Sequence, residues 1–263
     1  MFNYDLIVVG SGHAGCEAAL SAAKLGLKTL LMTLNLEHIA LMPCNPAIGG
    51  PAKSSLVREI DALGGVMGIV TDATYIQMKI LNSSKGPAVR ALRAQSDKKE
   101  YMTFMRNLIE KNCYISLKQG MAVELIVENN EVKGVIDEFG LEYHAPAVIL
   151  TTGTSLEGKC YVGLQSVSAG RMGERAATGL SASLLKNGLQ LKRLKTGTPA
   201  RVDSRTIDYS KMTIQPGDDE LHFFSFEPNR PVRKQYPCYL TRTTEKTHEI
   251  IRSNLDKSPL YAG

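Results

Sequence analysis

The sequence predicts an α/β fold in which a parallel sheet carries a small antiparallel layer as an insertion. Three observations support this prediction. An apolar run at residues 5–9 leads through a glycine-rich turn into an alanine-rich helical pattern. Residues 114–144 then alternate with a period of two, which is typical of short strands. A second apolar run at residues 147–150 indicates a buried strand that completes the parallel sheet.

The turn after the first strand has the sequence Gly10-Ser11-Gly12-His13-Ala14-Gly15. In such a pattern the first glycine permits a tight turn, the second lets a diphosphate approach the backbone, and the third lets the helix lie close to the strand. The helix N-terminus presents free N–H groups and a partial positive charge to the phosphates. Because a strand precedes the turn and a helix follows it, we predict a dinucleotide site. The alternative is a turn that only packs helix against strand.

The second parallel strand is expected at residues 29–32, after a helix that ends near Gly26. Dinucleotide folds usually carry Asp or Glu at the end of this strand, where it binds the ribose hydroxyls. Here Thr33 and Asn35 occupy that place, and Glu37 follows slightly late. The sequence therefore identifies no ribose-binding carboxylate.

A loop rich in proline and glycine, residues 42–53 (MPCNPAIGGPAK), holds Cys44 ahead of a helix predicted to end near Leu63. An irregular backbone, a helix N-terminus and a nearby cation such as Lys53 favour the nucleophilic thiolate. Most loop cysteines are nevertheless inert. The residues alone leave both a catalytic and a purely structural Cys44 open.

Residues 72–111 are rich in lysine and arginine around a turn at 82–87, and they end in an amphipathic helix predicted over residues 95–111. The basic side chains could line a phosphate or nucleic-acid path. A solvated basic face is the commoner meaning of such a run.

The alternating strands are expected at residues 114–117, 122–128, 131–137 and 141–144, with Asn129-Asn130 as a hairpin turn. An antiparallel insertion of this kind is typical of FAD/NAD(P)-binding, Rossmann-like flavoproteins of the glutathione-reductase type. We therefore predict an FAD-binding domain over residues 1–155, with its insertion at about 114–144. Residues 156–263 should continue that domain into an incomplete second one, with helices at 178–186 and 244–255 and an irregular stretch at 203–237.

Composition narrows the class of protein. Five cysteines without a C-x-x-C pair argue against a disulfide framework or a metal site and favour a reducing, cytoplasmic compartment. No leader peptide and no apolar run long enough to cross a membrane is expected. Residues 1–150 carry 14 basic and 15 acidic side chains, and the rest carry 17 and 11. This basic second part is compatible with a polyanionic partner and equally with a solvated surface.

Several segments together resemble the GidA family of flavoenzymes, which modify the wobble uridine of certain tRNAs. The matching segments are VVGSGHAGCEAA from Val8, MPCNPAIGGPAK from Met42, ILNSSKGPAVRALRAQ from Ile80, TTGTSLEGK from Thr151, LKTGTPARVD from Leu194 and PCYLTRTTEKTHEIIRSNLDKSPLYAG from Pro237. The cysteine loop in particular is not a general feature of Rossmann folds.

The resemblance implies an FAD enzyme that uses NADH and methylenetetrahydrofolate to place an aminomethyl or carboxymethylaminomethyl group on uridine C5. It also implies tRNA as substrate, an MnmE-type GTPase as partner, a homodimer, and a heterotetramer with the GTPase. The family's FAD-binding loop falls on Gly10, Ser11, Gly12, His13, Ala14 and Gly15, with further FAD contacts near Ala122 and on Ser168. Its catalytic cysteine falls on Cys44.

Members of this family are more than twice as long, and they place a second essential cysteine shortly after the segment matched by residues 258–263. We therefore expect this chain to correspond to an N-terminal portion that would not turn over alone. Two alternatives remain. One is the related FAD- and folate-dependent tRNA uridine methyltransferase, which lacks the cysteine-loop signature. The other is a non-catalytic nucleotide-binding fragment.

Overall fold

The computed structural model describes residues 2–258 and Tyr261, so the family match at residues 258–263 extends beyond the described residues. The strands are β1 (Phe2–Asn3), β2 (Leu6–Val9), β3 (Thr29–Thr33), β4 (Ala47–Gly49), β5 (Tyr75–Leu81), β6 (Ala91–Ser96), β7 (Ile115–Gln119), β8 (Ala122–Glu128), β9 (Glu131–Asp137), β10 (Glu142–His144), β11 (Val148–Leu150), β12 (Lys159–Val162), β13 (Gln165–Ser168), β14 (Thr213–Gln215) and β15 (Cys238–Leu240). The helices are α1 (His13–Lys24), α2 (Lys53–Ala62), α3 (Met67–Thr74), α4 (Lys98–Glu110), α5 (Leu180–Lys186) and α6 (Glu245–Arg252).

A parallel sheet with the strand order β11-β2-β3-β7 forms the centre of the fold. Every residue of β2 and β3 is buried, as the apolar runs predict. The strand expected at residues 147–150 is confirmed as β11, but it is not fully buried. Ile149 is 39% exposed because β11 is the edge strand of this sheet.

Helix α1 packs on this sheet through a stripe of small side chains, which lets the helix backbone lie close to the strands. Cys16, Ala19 and Ala23 on this stripe are buried. The helix ends just before Gly26, whose φ of +77° is the left-handed conformation that glycine adopts readily. The predicted strand, glycine turn and helix are thus confirmed.

An antiparallel layer of order β10-β9-β8 lies beside the parallel sheet, and β1 pairs with β10 in parallel. Its hairpin turn is at Asn129 and Asn130, both with positive φ, as predicted. The expectation that the layer begins at residue 114 was wrong. Strand β7 pairs in parallel with β3 across five positions and belongs to the central sheet, because its side chains extend the core that α1 covers.

A three-stranded antiparallel sheet, β4-β6-β5, carries the cysteine loop at one edge. The helix predicted from residue 95 was wrong at its start, because residues 91–96 pair with both β4 and β5. Helix α4 begins only after Asp97, whose carboxylate accepts hydrogen bonds from the N–H groups of Lys99 and Glu100. Its buried face, which includes Tyr101 and Met105, is as the helical period predicts.

The irregular stretch at residues 203–237 packs against helix α3 and the three-stranded sheet β4-β6-β5. The backbone N–H groups of Phe224 and Ser225 donate to the buried carboxylate of Asp72 at 3.0 and 2.8 Å, and Phe224 is fully buried. Asp218 and Gln235 accept hydrogen bonds from the open edge of β5.

Helices α5 and α6 confirm the two late helical predictions, each within a few residues at its ends. Helix α5 packs against β8, where the Ser183 hydroxyl accepts the N–H of Leu125 at 2.9 Å. The proposed boundary near residue 155 stays a prediction.

Candidate functional site

The turn between β2 and α1 has the shape of a diphosphate cradle. A Cβ added at Gly10 would lie 2.3 Å from the Thr151 carbonyl oxygen, and one added at Gly15 would lie 1.8 Å from the Gly10 carbonyl oxygen. A Cβ added at Gly12 would meet nothing within 4 Å. Two glycines are therefore required by the packing of the turn, whereas Gly12 keeps open the space in front of the helix.

The N-terminus of α1 faces that open space. Gly12 is the N-cap residue, and no side chain caps the helix. The first N–H groups of a helix lack intrahelical partners, so they can donate to phosphate oxygens here. Gly12 and Ala14 are exposed. The residues present thus fit the diphosphate of a dinucleotide.

Neighbouring side chains hold the cradle rigid. The Thr151 hydroxyl lies 3.0 Å from the carbonyl oxygens of both Val9 and Gly10. The Ser11 side chain is buried and donates to the Thr33 hydroxyl at 2.7 Å, so Ser11 offers a ligand its backbone rather than its hydroxyl. This direct support of the turn by Thr151 could not be predicted from the sequence.

His13 lies at the first position of α1 and stacks on the ring of Tyr101, with the centroids 5.4 Å apart. Burial lowers the pKa of His13, so the imidazole is neutral at physiological pH. Its Nε2 is buried and makes no hydrogen bond to a described residue. His13 therefore contributes a packed neutral ring to the cradle rather than a positive charge.

The end of β3 offers no free carboxylate to a ribose. Thr33 is engaged by Ser11, and the Asn35 side chain accepts the N–H of Glu37 at 2.9 Å. Glu37 itself pairs with Arg106 at 2.7 Å.

Ala122 begins β8, close to the same edge of the parallel sheet, because the Gly120 N–H donates to the Thr33 carbonyl oxygen at 2.9 Å. Its methyl group is buried in a hydrophobic cluster that includes Val9 and Met32. Because the whole residue is only 3% exposed, a contact of Ala122 with a cofactor stays a prediction.

Ser168 ends the hairpin β12-β13, where it pairs with Lys159 and is exposed. The hairpin joins the cradle through residues 151–158, and the Ala169 N–H donates to the Gly158 carbonyl oxygen at 3.0 Å. A direct role for Ser168 at a cofactor stays a prediction.

The segment that leads into the cysteine loop is hydrogen-bonded to the cradle. The Ala40 N–H donates to the Ser11 carbonyl oxygen at 2.8 Å. Cys44 is four residues further along the chain, so its Cα lies within about 14 Å of the Ala40 Cα. The Cys44 side chain is half-buried, and its Sγ lies 3.4 Å from the Gly197 carbonyl oxygen and 3.6 Å from the Thr198 hydroxyl.

Arg201 and Lys98 place positive charge beside this thiol. Lys53 is exposed at the start of α2, whereas the Arg201 guanidinium donates to the Cys44 carbonyl oxygen at 3.2 Å. Burial lowers the pKa of Lys98, the charges of Arg201 and Arg171 lower it further, and Cys44 acts in the opposite sense. Lys98 and Arg201 thus form a positive cluster beside Cys44, whereas Arg171, which acts on Lys98, pairs with Glu174 at 2.7 Å. Sequence reasoning missed this cluster because its members are far apart in the chain.

The described part of the chain contains neither a candidate metal cluster nor a candidate membrane-spanning helix. No group of three or more His, Cys, Asp or Glu side chains among these residues could hold a metal ion. None of the helices in residues 2–258 is long and apolar enough to cross a membrane.

A glycine cradle at the edge of a parallel sheet, with an antiparallel layer beside it, defines a Rossmann-like α/β protein of the FAD-binding class. The comparisons with known proteins narrow this class. The family model described as "Glucose inhibited division protein A" matches residues 5–263, and the chain belongs to this family, GidA.

Similar proteins support the assignment along the whole chain. The protein called tRNA uridine 5-carboxymethylaminomethyl modification enzyme MnmG from Synechocystis is 54% identical over 262 residues, which cover 99% of this chain and 41% of that protein. Its namesake from Geobacillus thermodenitrificans is 55% identical over 261 residues, 99% of this chain and 42% of that protein. The chain spans about two fifths of the length of these relatives.

Solved structures give the same result for the fold. Aquifex aeolicus GidA in its form I crystal is 48% identical, with a TM-score of 0.94 over 99% of this chain and 45% of that one. The GidA-related protein from Thermus thermophilus is 21% identical, with a TM-score of 0.51 over 70% of this chain and 68% of that one, and shares the fold alone.

Proposed function

We propose that the protein to which this chain corresponds adds an aminomethyl or carboxymethylaminomethyl group to C5 of a tRNA wobble uridine, with FAD, NADH and methylenetetrahydrofolate. One observation carries the proposal. The half-buried Cys44 thiol lies in a cationic cluster, on a loop that begins at the diphosphate cradle. The names of the Synechocystis and Geobacillus relatives support the reaction class.

The residues of the cradle would hold the FAD diphosphate. The backbone at Gly10–Gly15, including Ser11, His13 and Ala14, would supply N–H groups and space, and Ala122 and Ser168 would make further contacts. When bound, FAD supplies hydride transfer to or from the one-carbon adduct, and the protein supplies orientation and electrostatics.

Cys44 would act on the pyrimidine ring. C5 of uracil is a weak nucleophile until a thiolate adds at C6 and pushes electron density towards C5. The activated C5 then bonds to the one-carbon unit and loses its proton. The C–N bond that joins this carbon to the folate breaks, and an amine co-substrate, ammonia or glycine, takes the place of the folate nitrogen. The C6–S bond breaks to restore the double bond and the thiolate. Lys98 and Arg201 would attract tRNA phosphates to this site.

The partners follow from the same proposal. We infer tRNA as substrate, an MnmE-type GTPase as partner, a homodimer, and a heterotetramer with the GTPase. The basic balance of residues 151–263, 17 basic against 11 acidic side chains, supports a polyanionic substrate.

The test compares full-length protein with its Cys44→Ser variant, using FAD, NADH, methylenetetrahydrofolate, ammonium or glycine, the GTPase with GTP, and unmodified tRNA. We expect nucleoside mass spectrometry to show carboxymethylaminomethyl or aminomethyl uridine with wild type and neither with the variant. Cys113→Ser is the matched control, since Cys113 is exposed and outside the site. Full modification by Cys44→Ser would remove Cys44 from the mechanism. A methyl product would favour the related methyltransferase reaction.

A further inference from the structure

An exposed segment crosses the cysteine loop. Residues 195–201 (KTGTPAR), here called the strap, belong to a longer stretch in which every side chain from residue 185 to 206 is exposed. The strap is more than 150 residues away from Cys44 in the chain. Its position over the thiol is therefore a tertiary feature that the family motif alone does not specify.

Two kinds of contact hold the strap against the loop. The Cys44 thiol donates to the Gly197 carbonyl oxygen at 3.4 Å, and its Sγ lies 3.6 Å from the Thr198 hydroxyl. The Arg201 guanidinium donates to the carbonyl oxygens of Cys44 and Pro43 at 3.2 and 3.4 Å. Arg201 is thus a side chain through which the strap binds the loop backbone, at the carbonyl groups on either side of the Cys44 Cα.

In this arrangement the Cys44 thiol is engaged by the backbone of the strap. The proton of Cys44 is used in the hydrogen bond to Gly197, and the carbonyl oxygen fills a position that a reacting carbon would need, at about 3–3.5 Å from sulfur. Arg201 has only neutral carbonyl partners in these contacts, and guanidinium groups bind phosphate more strongly than carbonyl oxygen. A phosphate-bearing ligand would therefore compete for the contact that keeps the strap in place.

We propose that Arg201 is a positioning residue that holds the strap over the Cys44 thiol, so that the thiol is covered until an anionic ligand displaces Arg201. The inference rests on the proposed function only for the identity of Cys44 as the reacting group. The position of the strap can be tested by chemistry that requires neither FAD nor tRNA.

Disulfide trapping tests whether the strap covers Cys44 in solution. In a Thr198→Cys variant, diamide accepts two electrons and two protons as the two thiols form a disulfide. We expect a link between positions 44 and 198, identified by peptide mass spectrometry. Thr206→Cys is the matched control, because Thr206 is also exposed and its hydroxyl bonds to Asp203. Equal linkage of both variants to Cys44, or no linkage at position 198, would overturn the proposal.

Variants of Arg201 test what holds the strap. We expect Arg201→Met to slow the trapping reaction of Thr198→Cys by on the order of tenfold, because the effective concentration of the two thiols falls. In the single variant, Cys44 should react faster with iodoacetamide. Arg201→Lys should restore part of both effects. Arg205→Met removes a charge from the same exposed stretch, where Arg205 pairs with Asp203, and should change neither.

General loosening of the fold would also speed alkylation and slow trapping, so the state of the fold is followed at a second cysteine. Cys16 is buried, so its failure to react with iodoacetamide reports that each variant is folded. Unchanged trapping and alkylation in Arg201→Met would refute the role of Arg201. If wild-type protein instead gives the expected trapping and alkylation rates but does not modify tRNA, the proposed function is refuted and the position of the strap is not.

Discussion

The cradle and the cysteine site lie at neighbouring places in the fold but are built in opposite ways. The cradle is a local structure of six consecutive residues, with Gly10 and Gly15 enclosed by backbone and Thr151. The cysteine site brings Cys44, Lys98 and Arg201 together from three distant segments, and most of its strap is exposed. A phosphate site needs a fixed backbone, whereas a Cys44 thiol that reacts with tRNA, as we propose, would need a cover that can move.

The two cysteines closest to these regions show the same difference. Cys16 in α1 is fully buried and donates to the Ser11 carbonyl oxygen at 3.3 Å. Burial raises the pKa of Cys16 to about 12, so this thiol stays protonated and inert. Cys44 is half-buried beside positively charged side chains. The chain thus holds one buried, structural thiol and, less than thirty residues further on, a half-buried thiol beside the strap.

The largest expected effect separates two glycines of the cradle. In Gly15→Ala the new methyl group would meet the Gly10 carbonyl, so we expect the free energy of unfolding to fall by about 3 kcal/mol or more. In Gly12→Ala the methyl group enters open space, so stability should be nearly unchanged while FAD affinity falls by roughly tenfold. Urea unfolding and flavin absorbance titration measure these quantities. Equal destabilisation by both changes would contradict the assigned roles.

A smaller effect contrasts the exposed strap with the anchored stretch at residues 203–237. Burial raises the pKa of Asp72 from 3.8 to about 6, so the folded protein binds this proton more tightly than the unfolded chain. The stabilisation from protonated Asp72 is complete below pH 3.8 and is lost as the pH rises through 6. The shift corresponds to about 3 kcal/mol.

Asp72→Asn removes this titration and one of the two acceptors for Phe224 and Ser225. We expect the variant to be about 1–3 kcal/mol less stable than wild type at about pH 4.5. The difference should shrink as the pH rises to about 7.5, where wild type carries a buried charge. Urea unfolding at several pH values measures it, and a difference that does not vary with pH would count against the role of Asp72.

The smallest effect concerns the support of the cradle. Thr151→Val removes the hydroxyl that contacts the Val9 and Gly10 carbonyl oxygens but keeps the backbone hydrogen bond from Thr151 to Val9. We expect a loss of about 1 kcal/mol in the free energy of unfolding. Thr154→Val, in the same turn, is the control. Identical unfolding of wild type and Thr151→Val would show that the hydroxyl does not support the turn.

The sequence predicted local features well and long-range ones poorly. The apolar runs and the glycine turn specified β2, α1 and β3, because period and turn chemistry act over a few residues. Helix α3 was missed because its N-terminus is capped from another helix, by the Glu17 carboxylate that accepts the N–H groups of Val66 and Met67. Strand β6 was not predicted, and its last two residues were included in the following helix, because its partners lie elsewhere in the chain.

The candidate site divides in the same way. The motif identified Cys44 and the cradle residues by position. It could not show that Arg201 binds the Cys44 carbonyl, because that contact depends on how the chain returns after more than 150 residues. Lys53 was the nearest cation in sequence, but nearness in sequence does not specify where a long side chain points.

The central claim is that the cradle and Cys44 serve one site, and one measurement tests it most directly. Iodoacetamide labelling of Cys44 is followed by peptide mass spectrometry with and without saturating FAD, with exposed Cys113 as the internal reference. We expect FAD to bind, to slow the labelling of Cys44 several-fold and to leave Cys113 unchanged, and we expect Gly12→Ala to need about tenfold more FAD for the same protection. Absence of FAD binding, or labelling of Cys44 at the same rate with FAD bound, would contradict the account.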